Sequence, residues 1–246
     1  YNYKRVRFGW FDFIENFAVA EALIRTVTEW GIGEGMTEIH GPLGFNTWNK
    51  QGMMVEGFEN LSQFNCLYNY PYYPEFLERM GFKKELDWLQ YIMPAQQPVP
   101  DKVERINGHL MRKYDLRLLK WRNYKDFEPY VEDFFQMYNE SFMTVTNFIP
   151  LTSDEINDSL RLYIKLLNPD LSYFIIDANN KVAAFSISFP SMSKALQKAR
   201  GYLFPFGWFH ILKGYFFYKD IDLMMVGARP DWKGKGLSSI YHYHTN

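Results

Sequence analysis

Residues 221–240 have the sequence IDLMMVGARPDWKGKGLSSI, and this segment carries more functional information than any other in the chain. Its apolar run is typical of a strand, its turn contains Gly234-Lys235-Gly236, and the residues after the turn are typical of a helix start. A glycine loop before a helix N-terminus offers several unbonded backbone N–H groups to one anion, and the helix dipole adds attraction. Glycine at both positions also removes the Cβ atoms that would hinder a diphosphate. The segment therefore predicts an anion-binding loop.

Composition restricts the class of protein. The 246 residues suffice for one large or two modest domains. The net charge of −1 gives no overall argument for a nucleic acid or a membrane as partner, and neither is expected. Cys66 is the only cysteine, so an internal disulfide is impossible and a cytoplasmic location is expected. Because the chain opens on Tyr1 rather than Met and stops soon after the glycine loop, we expect it to lack both ends.

Hydrophobic periodicity predicts an α/β chain. The predicted strands are residues 5–14, 36–40, 86–93, 116–121, 171–177, 182–189 and 223–227. The predicted helices are residues 19–30, 74–80, 101–114, 127–142, 156–167 and 193–200. A capping box at Thr152 and Glu155 opens one helix, and residues 178–181 have the composition of a hairpin turn. Residues 94–100, PAQQPVP, are typical of a linker.

The most apolar window is residues 201–218, GYLFPFGWFHILKGYFFY. It contains Pro205, His210 and Lys213 and is only marginally long enough to span a bilayer. We therefore expect an aromatic helix or loop packed over a pocket, rather than contact with a membrane.

Residues 116–246 resemble the front half of a GNAT-type acyl-CoA N-acyltransferase domain. The resemblance lies in the hairpin LSYFIIDANNKVAAFSISF, the strand IDLMMVGARP and the loop DWKGKGL before a helix. The family's loop pattern is Gln or Arg, two residues, Gly, one residue, then Gly or Ala. Gly234 and Gly236 match its glycines, whereas Asp231 stands at the Gln/Arg position. The alternative interpretation is a tight turn in an unrelated α/β domain.

The resemblance implies a site for acetyl-CoA or another acyl-CoA. The diphosphate would lie on the backbone of residues 234–238, the pantetheine arm would follow residues 223–227, and Lys233 and Lys235 would neutralise charge. The residues expected to bind the co-substrate are Val226, Gly227, Ala228, Lys233, Gly234, Lys235, Gly236, Leu237 and Ser238.

The first block of the chain resembles the back half of the same fold, notably in PEFLERMGFKKELDWLQY. We therefore predict mixed sheets with flanking helices in a tandem arrangement. Residues 1–93 would end a first copy, residues 94–115 would connect, and residues 116–246 would begin a second. The first copy is expected to be degenerate, because residues 15–19 contain no glycine and Leu77 stands where many family members have a catalytic tyrosine; Tyr72 and Tyr73 lie one turn earlier.

Acyl transfer to an amine needs a base, a polarised carbonyl and an acid. Asp222 is the best candidate for the base, although Asp220 and Asp222 could instead form a solvated strand start. The resemblance places Glu140, with Asn139 and Ser141, near an acceptor pocket; the alternative is a solvated helix end. The catalytic acid is expected beyond Asn246. No metal site is expected, because the histidines are scattered and His242-x-His244 has no completing ligands.

The predicted function is an N-acyltransferase that moves an acyl group, expected to be acetyl, to an amine of a small metabolite or peptide. Two alternatives remain open. The first is a non-catalytic module that binds a ligand or a protein. The second is a tandem ligase using aminoacyl-tRNA, which the balanced charge and the lack of a basic helical arm argue against.

Overall fold

A computed structural model describes residues 4–94, 99–163 and 167–245, and within this range the strands form two separate sheets. The chain divides into two units, one of Tyr1–Gln90 with Met192–Phe216 and the other of Tyr91–Ser191 with Phe217–Asn246. It is a mixed α/β chain, with a two-stranded parallel sheet in the first unit and a four-stranded antiparallel sheet in the second.

The strands are β1 Arg5–Arg7, β2 Glu38–His40, β3 Arg117–Leu118, β4 Tyr173–Ile176, β5 Val182–Pro190 and β6 Ile221–Ala228. The helices are α1 Phe17–Gly33, α2 Tyr72–Arg79, α3 Asp101–Lys113, α4 Tyr124–Phe127, α5 Val131–Phe142, α6 Ser153–Tyr163, α7 Ser193–Ala199, α8 Gly207–Phe216 and α9 Ser238–Thr245. Short 3-10 turns occupy Glu128–Tyr130 and Pro230–Trp232.

The first unit is built around the β1–α1–β2 connection. β1 and β2 pair in parallel, with Val6 opposite Ile39. The side chain of Asn16 caps α1 by accepting the N–H of Ala18 at 3.0 Å. α2 packs against this unit through two clusters of buried side chains: Phe8, Ile24 and Leu77 in one, and Phe13, Ala20, Tyr73 and Phe76 in the other.

The second unit has the sheet order β3-β4-β5-β6. Neighbouring residues of β4 point to opposite faces, so Phe174 packs against Phe127 and Phe134 while Ile175 belongs to a cluster with Leu237 and Ile240. β5 is buried along nearly its whole length, as expected for a strand covered on both faces. Helices therefore cover both faces of this sheet, α5 on one side and α3 with α9 on the other.

A predicted helix cap and a predicted hairpin turn are confirmed. Thr152 and Glu155 form the capping box, in which the Thr152 N–H donates to Oε2 of Glu155 at 2.9 Å and the Glu155 N–H donates to Oγ1 of Thr152 at 3.3 Å. Residues 178–181 form the hairpin turn, where Asn180 adopts a φ of 60°. Part of the predicted helix 156–167 and of the predicted linker 94–100 lies outside the described residues, at 164–166 and 95–98.

Four predicted elements are wrong in extent. The strand 5–14 stops at Arg7, because Trp10 adopts a left-handed φ of 53°. Residues 86–93 form no strand, since no strand of the described range lies beside them to accept their backbone hydrogen bonds. Only Arg117–Leu118 of 116–121 pairs with β4. The predicted helix 127–142 is divided, because Pro129 has no N–H to donate.

The aromatic window at residues 201–218 contains α8, and its large side chains are mostly exposed rather than packed over a pocket. Among the described residues, no helix has the length and apolar character required to cross a bilayer.

Candidate functional site

A cleft of about 570 Å³ lies beside the C-terminal end of β6. Its lining comes from three segments of the second unit: residues 141–145 after α5, residues 226–228 of β6, and residues 232–238 of the glycine loop and the start of α9. All the residues predicted to bind the co-substrate contribute to this lining except Lys235. The structure thus brings eight of the nine predicted residues together in one concave surface.

β6 forms one wall of the cleft, and glycine is needed there. Gly227 lies opposite Phe185, and a Cβ at Gly227 would lie 2.5 Å from the ring of Phe185, which is fully buried. The hydroxyl of Ser141 donates to the Ala228 carbonyl at 2.8 Å and ties the end of α5 to the end of β6. Within the described residues β6 has one strand neighbour, β5, and a bulge leaves Met224 without a partner in the ladder.

The glycine loop has the backbone shape that its sequence requires. Gly234 and Gly236 adopt left-handed φ angles of 76° and 83°, which residues with a Cβ rarely adopt. The space above Gly234 is open, with no atom within 4 Å of the point where a Cβ would lie. The backbone N–H groups of Gly234, Gly236, Leu237 and Ser238 make no hydrogen bond to another residue of the described ranges. Four donors next to a helix N-terminus suit an anion.

Buried residues on either side hold the loop in place. Trp232, Leu237 and Ile240 belong to one core cluster, with exposed fractions of 8%, 2% and 0%. The hydroxyl of Ser239 contacts the Oδ1 atom of Asn107 on α3 at 2.8 Å and also donates to the Gly236 carbonyl at 2.8 Å. Packing of these residues therefore fixes the conformation of the loop.

The two lysines of the loop have different surroundings. Nζ of Lys233 donates to the Ser141 carbonyl at 3.3 Å, on the rim of the cleft. Nζ of Lys235 lies 4.3 Å from the ring centre of Trp232 and 5.6 Å from that of Tyr114. Lys233 is thus the lysine positioned to meet an anion in the cleft, whereas Lys235 makes cation–π contacts outside it.

Asp231, which departs from the family pattern, is paired with Arg229. Nε of Arg229 donates to Asp231 at 2.7 Å, and an NH2 nitrogen donates to the buried Asp177 at 2.6 Å. Hydrogen bonds from the guanidinium lower the pKa of Asp231. Burial alone would raise the pKa of Asp177, but Arg229 and the backbone N–H groups of Lys181 and Asn179 hold it below its ordinary value. The carboxylate of Asp231 therefore brings no unpaired negative charge to the loop.

The residues predicted near an acceptor separate into two roles. Asn139 exchanges hydrogen bonds with the backbone of Leu151, and Ser141 binds Ala228, so both are structural. Glu140 accepts from Gln136 at 2.9 Å and lines a smaller cleft of about 280 Å³, together with Asp133, Arg229 and Asp231.

Asp222 lies at the start of β6, opposite Phe189. Its side chain is buried, with 6% exposed, so the alternative of a solvated strand start is wrong for this residue. Asp222 is not among the residues lining the cleft. At the rise of a strand it lies roughly 13 Å from Val226, and its catalytic role stays a prediction.

In the first unit, the connection at residues 8–16 is filled by its own side chains. The rings of Phe11 and Phe13 are 4.5 Å apart, and Phe13 stacks on Tyr73 at 4.2 Å. The Tyr73 hydroxyl accepts the N–H of Phe13 at 3.1 Å and donates to Asp12. Burial, together with Asp12, raises the pKa of Tyr73 to about 12. Leu77 is 2% exposed and packs with Phe8 and Ile24, so it serves the core.

Three features of the site were not predicted from the sequence. Ser141 closes the wall of the cleft, Arg229 pairs with Asp177, and the buried Nε1 of Trp232 has no hydrogen-bond acceptor among the described residues. The Arg-Pro step after the strand and the Asp in the hairpin turn were the available signals for the ion pair. Among the described residues, no group of three or more His, Cys, Asp or Glu side chains could hold a metal ion. His242 lies outside the side chains that the structure describes.

Comparison with known proteins finds distant relatives. Protein YghO of Escherichia coli (strain K12) is 25% identical over 206 residues, which cover 83% of this chain and 52% of that protein. Bacterial ceramide synthase of Caulobacter vibrioides (strain NA1000 / CB15N) is 22% identical over 206 residues, which cover 83% of this chain and 53% of that protein. The chain thus spans about half the length of the curated relatives it matches. No family model matches the chain.

Proposed function

We propose that this protein is an N-acyltransferase that uses acyl-CoA, and that the cleft beside the glycine loop holds the CoA diphosphate. One observation carries the proposal: the unbonded N–H groups of Gly234, Gly236, Leu237 and Ser238 border a cleft that is large enough for part of a nucleotide-like ligand. The residues fit this group chemically. Backbone N–H groups and the ammonium of Lys233 are donors, and a diphosphate supplies only acceptors.

The strand β6 would bind the pantetheine arm. In the described range its outer edge has no neighbouring strand, so its backbone groups are available to the amides of an extended ligand. The bulge at Met224 interrupts the ladder within β6. We propose that a backbone N–H of this irregular stretch polarises the thioester carbonyl. In the reaction, the amine nitrogen bonds to the carbonyl carbon, the carbon–sulfur bond breaks, and the thiolate takes up a proton. We propose Asp222 as the base that removes the proton from the amine.

The similarity to a bacterial ceramide synthase supports amide formation as the reaction class. A ceramide is a sphingoid base acylated on its nitrogen, so that relative's name denotes N-acylation of a long-chain amine. For the present chain we propose an amine acceptor, with a sphingoid base and small polar amines as the two classes to compare. The acyl group is proposed as acetyl, with longer chains as the alternative.

A non-catalytic acyl-CoA-binding module is the second candidate. It is favoured by one observation: neither Asp222 nor any tyrosine lines the cleft in the part of the chain that the structure describes. The cleft would then bind its ligand without an acid or a base in reach.

The experiment mixes the intact protein with acetyl-CoA or palmitoyl-CoA and with sphinganine, spermidine or a short peptide. Release of the CoA thiol is followed by a thiol reagent, and the amide product is identified by mass spectrometry. Amine-dependent release that is lost in a loop variant, Gly234→Ala with Gly236→Ala, supports the enzyme. Binding of acyl-CoA without any turnover supports the module, and the absence of both would refute the site.

A further inference from the structure

Residues 192–216 form a helical hairpin, here called the aromatic hairpin, in which small residues face each other. A Cβ at Gly214 of α8 would lie 2.7 Å from the Cβ of Ala195 on α7, and one at Gly207 would lie 3.3 Å from that of Ala199. A Cβ at Gly207 would also collide with the Tyr202 carbonyl, at 1.7 Å. The two helices therefore contact each other partly through residues that have almost no side chain.

The large residues of the aromatic hairpin are exposed instead. The most exposed are Tyr202, Leu203, Phe204, Phe206, Phe209 and Phe216, with fractions of 73%, 56%, 79%, 70%, 51% and 66%. Single exposed apolar residues are ordinary, but soluble proteins rarely expose so many within one short segment. Such a surface indicates an apolar partner.

The charge of the aromatic hairpin identifies the kind of partner. Its charged side chains are Lys194, Lys198, Arg200 and Lys213, all exposed, and it contains no Asp or Glu. The whole chain has a net charge of −1, so this positive charge is local. Apolar and aromatic groups interspersed with exposed cations such as Lys198, Arg200 and Lys213 match the boundary between the headgroups and acyl chains of an anionic bilayer.

We propose that the aromatic hairpin binds the surface of an anionic lipid bilayer. Its aromatic side chains enter the interface while its lysines and Arg200 contact lipid phosphates. The hairpin lies on the bilayer and does not cross it, because α8 has 10 residues and is therefore only about 15 Å long. This differs from the expectation of no membrane partner, which rested on the net charge of the chain and on the length and polar residues of the window 201–218. The proposal does not depend on the acyl-CoA cleft.

The test is sedimentation of the intact protein with vesicles of phosphatidylcholine, alone or mixed with phosphatidylglycerol. We expect binding to the mixed vesicles, weaker binding to phosphatidylcholine alone, and release by salt. The variant Phe204→Ser with Phe206→Ser and Phe209→Ser should lower the partition coefficient roughly tenfold or more. The matched control changes Phe45, Leu89 and Ile92 to Ser. These three side chains lie outside the aromatic hairpin and are 80%, 74% and 88% exposed, so the control should bind as the unmodified protein does.

A second pair of variants tests the charge. Lys198→Gln with Lys213→Gln should weaken binding to the mixed vesicles roughly tenfold, whereas Lys102→Gln with Lys125→Gln should leave it unchanged. Equal binding by the hairpin variants and their controls would overturn the proposal, and so would a protein that stays in the supernatant. Self-association that the triple serine variant abolishes, measured by sedimentation velocity, would assign the surface to a second copy instead.

Discussion

Residues 8–16 after β1 and residues 229–237 after β6 both lead from a strand to a helix, and they differ in what lies beside the backbone. The first is occupied by Phe11 and Phe13, whose rings pack on Tyr73, and the Asn16 side chain accepts the N–H of Ala18 in the first turn of α1. The second has glycine where its backbone turns, and the N–H groups of its two glycines make no hydrogen bond within the described residues.

The difference lies in what fills the space beside the backbone. In the first connection, aromatic side chains of the chain itself fill this space, so no ligand is required to fill it. In the second, buried anchors on both sides hold the loop open, which leaves donors for an external anion. Four sets of substitutions test this difference.

The largest effect is expected from Phe13→Ala. Phe13 is 8% exposed and contacts Phe11, Tyr73 and Phe76, so the change leaves a cavity and should lower the free energy of unfolding by about 3–5 kcal/mol. Urea unfolding measures the loss, and hydrogen exchange should locate it in the first unit. CoA affinity should not change, because the cleft is formed by residues of the second unit. A parallel loss of CoA affinity would contradict the separation of the two connections.

Arg229→Gln should have the next largest effect. The change removes the guanidinium from Asp177, whose side chain is 3% exposed. It should lower the free energy of unfolding by about 2–3 kcal/mol at neutral pH. Arg229 lowers the pKa of Asp177, so this stability is present above the unfolded pKa of about 4 and is lost as the pH falls through the folded value. The difference in the free energy of unfolding between the variant and the unmodified protein should therefore become smaller as the pH falls below about 4, as urea unfolding at several pH values would show. Asp231→Asn is the control, because Asp231 is exposed and should change stability by less than about 1 kcal/mol.

Tyr73→Phe should lower the free energy of unfolding by about 1 kcal/mol, because it removes the hydrogen bonds of the tyrosine hydroxyl to Phe13 and Asp12. The pKa of Tyr73 is raised to about 12 in the folded protein, whereas an unfolded tyrosine ionises near pH 10. Ionisation therefore favours the unfolded state, and stability falls as the pH rises from about 10 to about 12. The phenylalanine variant should show a smaller fall across that range in denaturant titrations. An identical alkaline profile would show that Tyr73 is not held in its protonated form.

The smallest effect concerns the two lysines of the loop. Lys233→Gln should raise the Kd for CoA roughly fivefold, because its ammonium lies on the rim of the cleft. Lys235→Gln should leave the Kd unchanged, because its ammonium lies over Trp232. Isothermal titration calorimetry distinguishes the two. A larger effect of Lys235→Gln than of Lys233→Gln would mean that the loop binds its ligand on the Lys235 side and not in the cleft.

Local signals in the sequence predicted the local structure. The capping box at Thr152, the hairpin turn at 178–181 and the glycine turn between β6 and α9 each depend on a few adjacent residues. Features that depend on distant partners were missed. Residues 86–93 have a strand-like composition, but a strand also requires a neighbour to pair with. The pairing of Arg229 with Asp177 joins residues 52 positions apart, so Asp231 looked like an unexplained departure from the pattern. The burial of Asp222 likewise follows from β5 and not from its own neighbours in sequence.

The central claim is that the glycine loop binds the diphosphate of CoA. The most direct test is calorimetric titration of coenzyme A into the protein, the variant Gly234→Ala with Gly236→Ala, and the control Gly35→Ala with Gly81→Ala. All four glycines have left-handed φ angles, between 71° and 91°, and Gly35 and Gly81 also have open space around them, so the backbone strain is similar in the two variants. We predict that the control binds CoA like the unmodified protein, while the Kd of the loop variant rises by roughly tenfold to a hundredfold. Equal affinity in the two variants would contradict the claim.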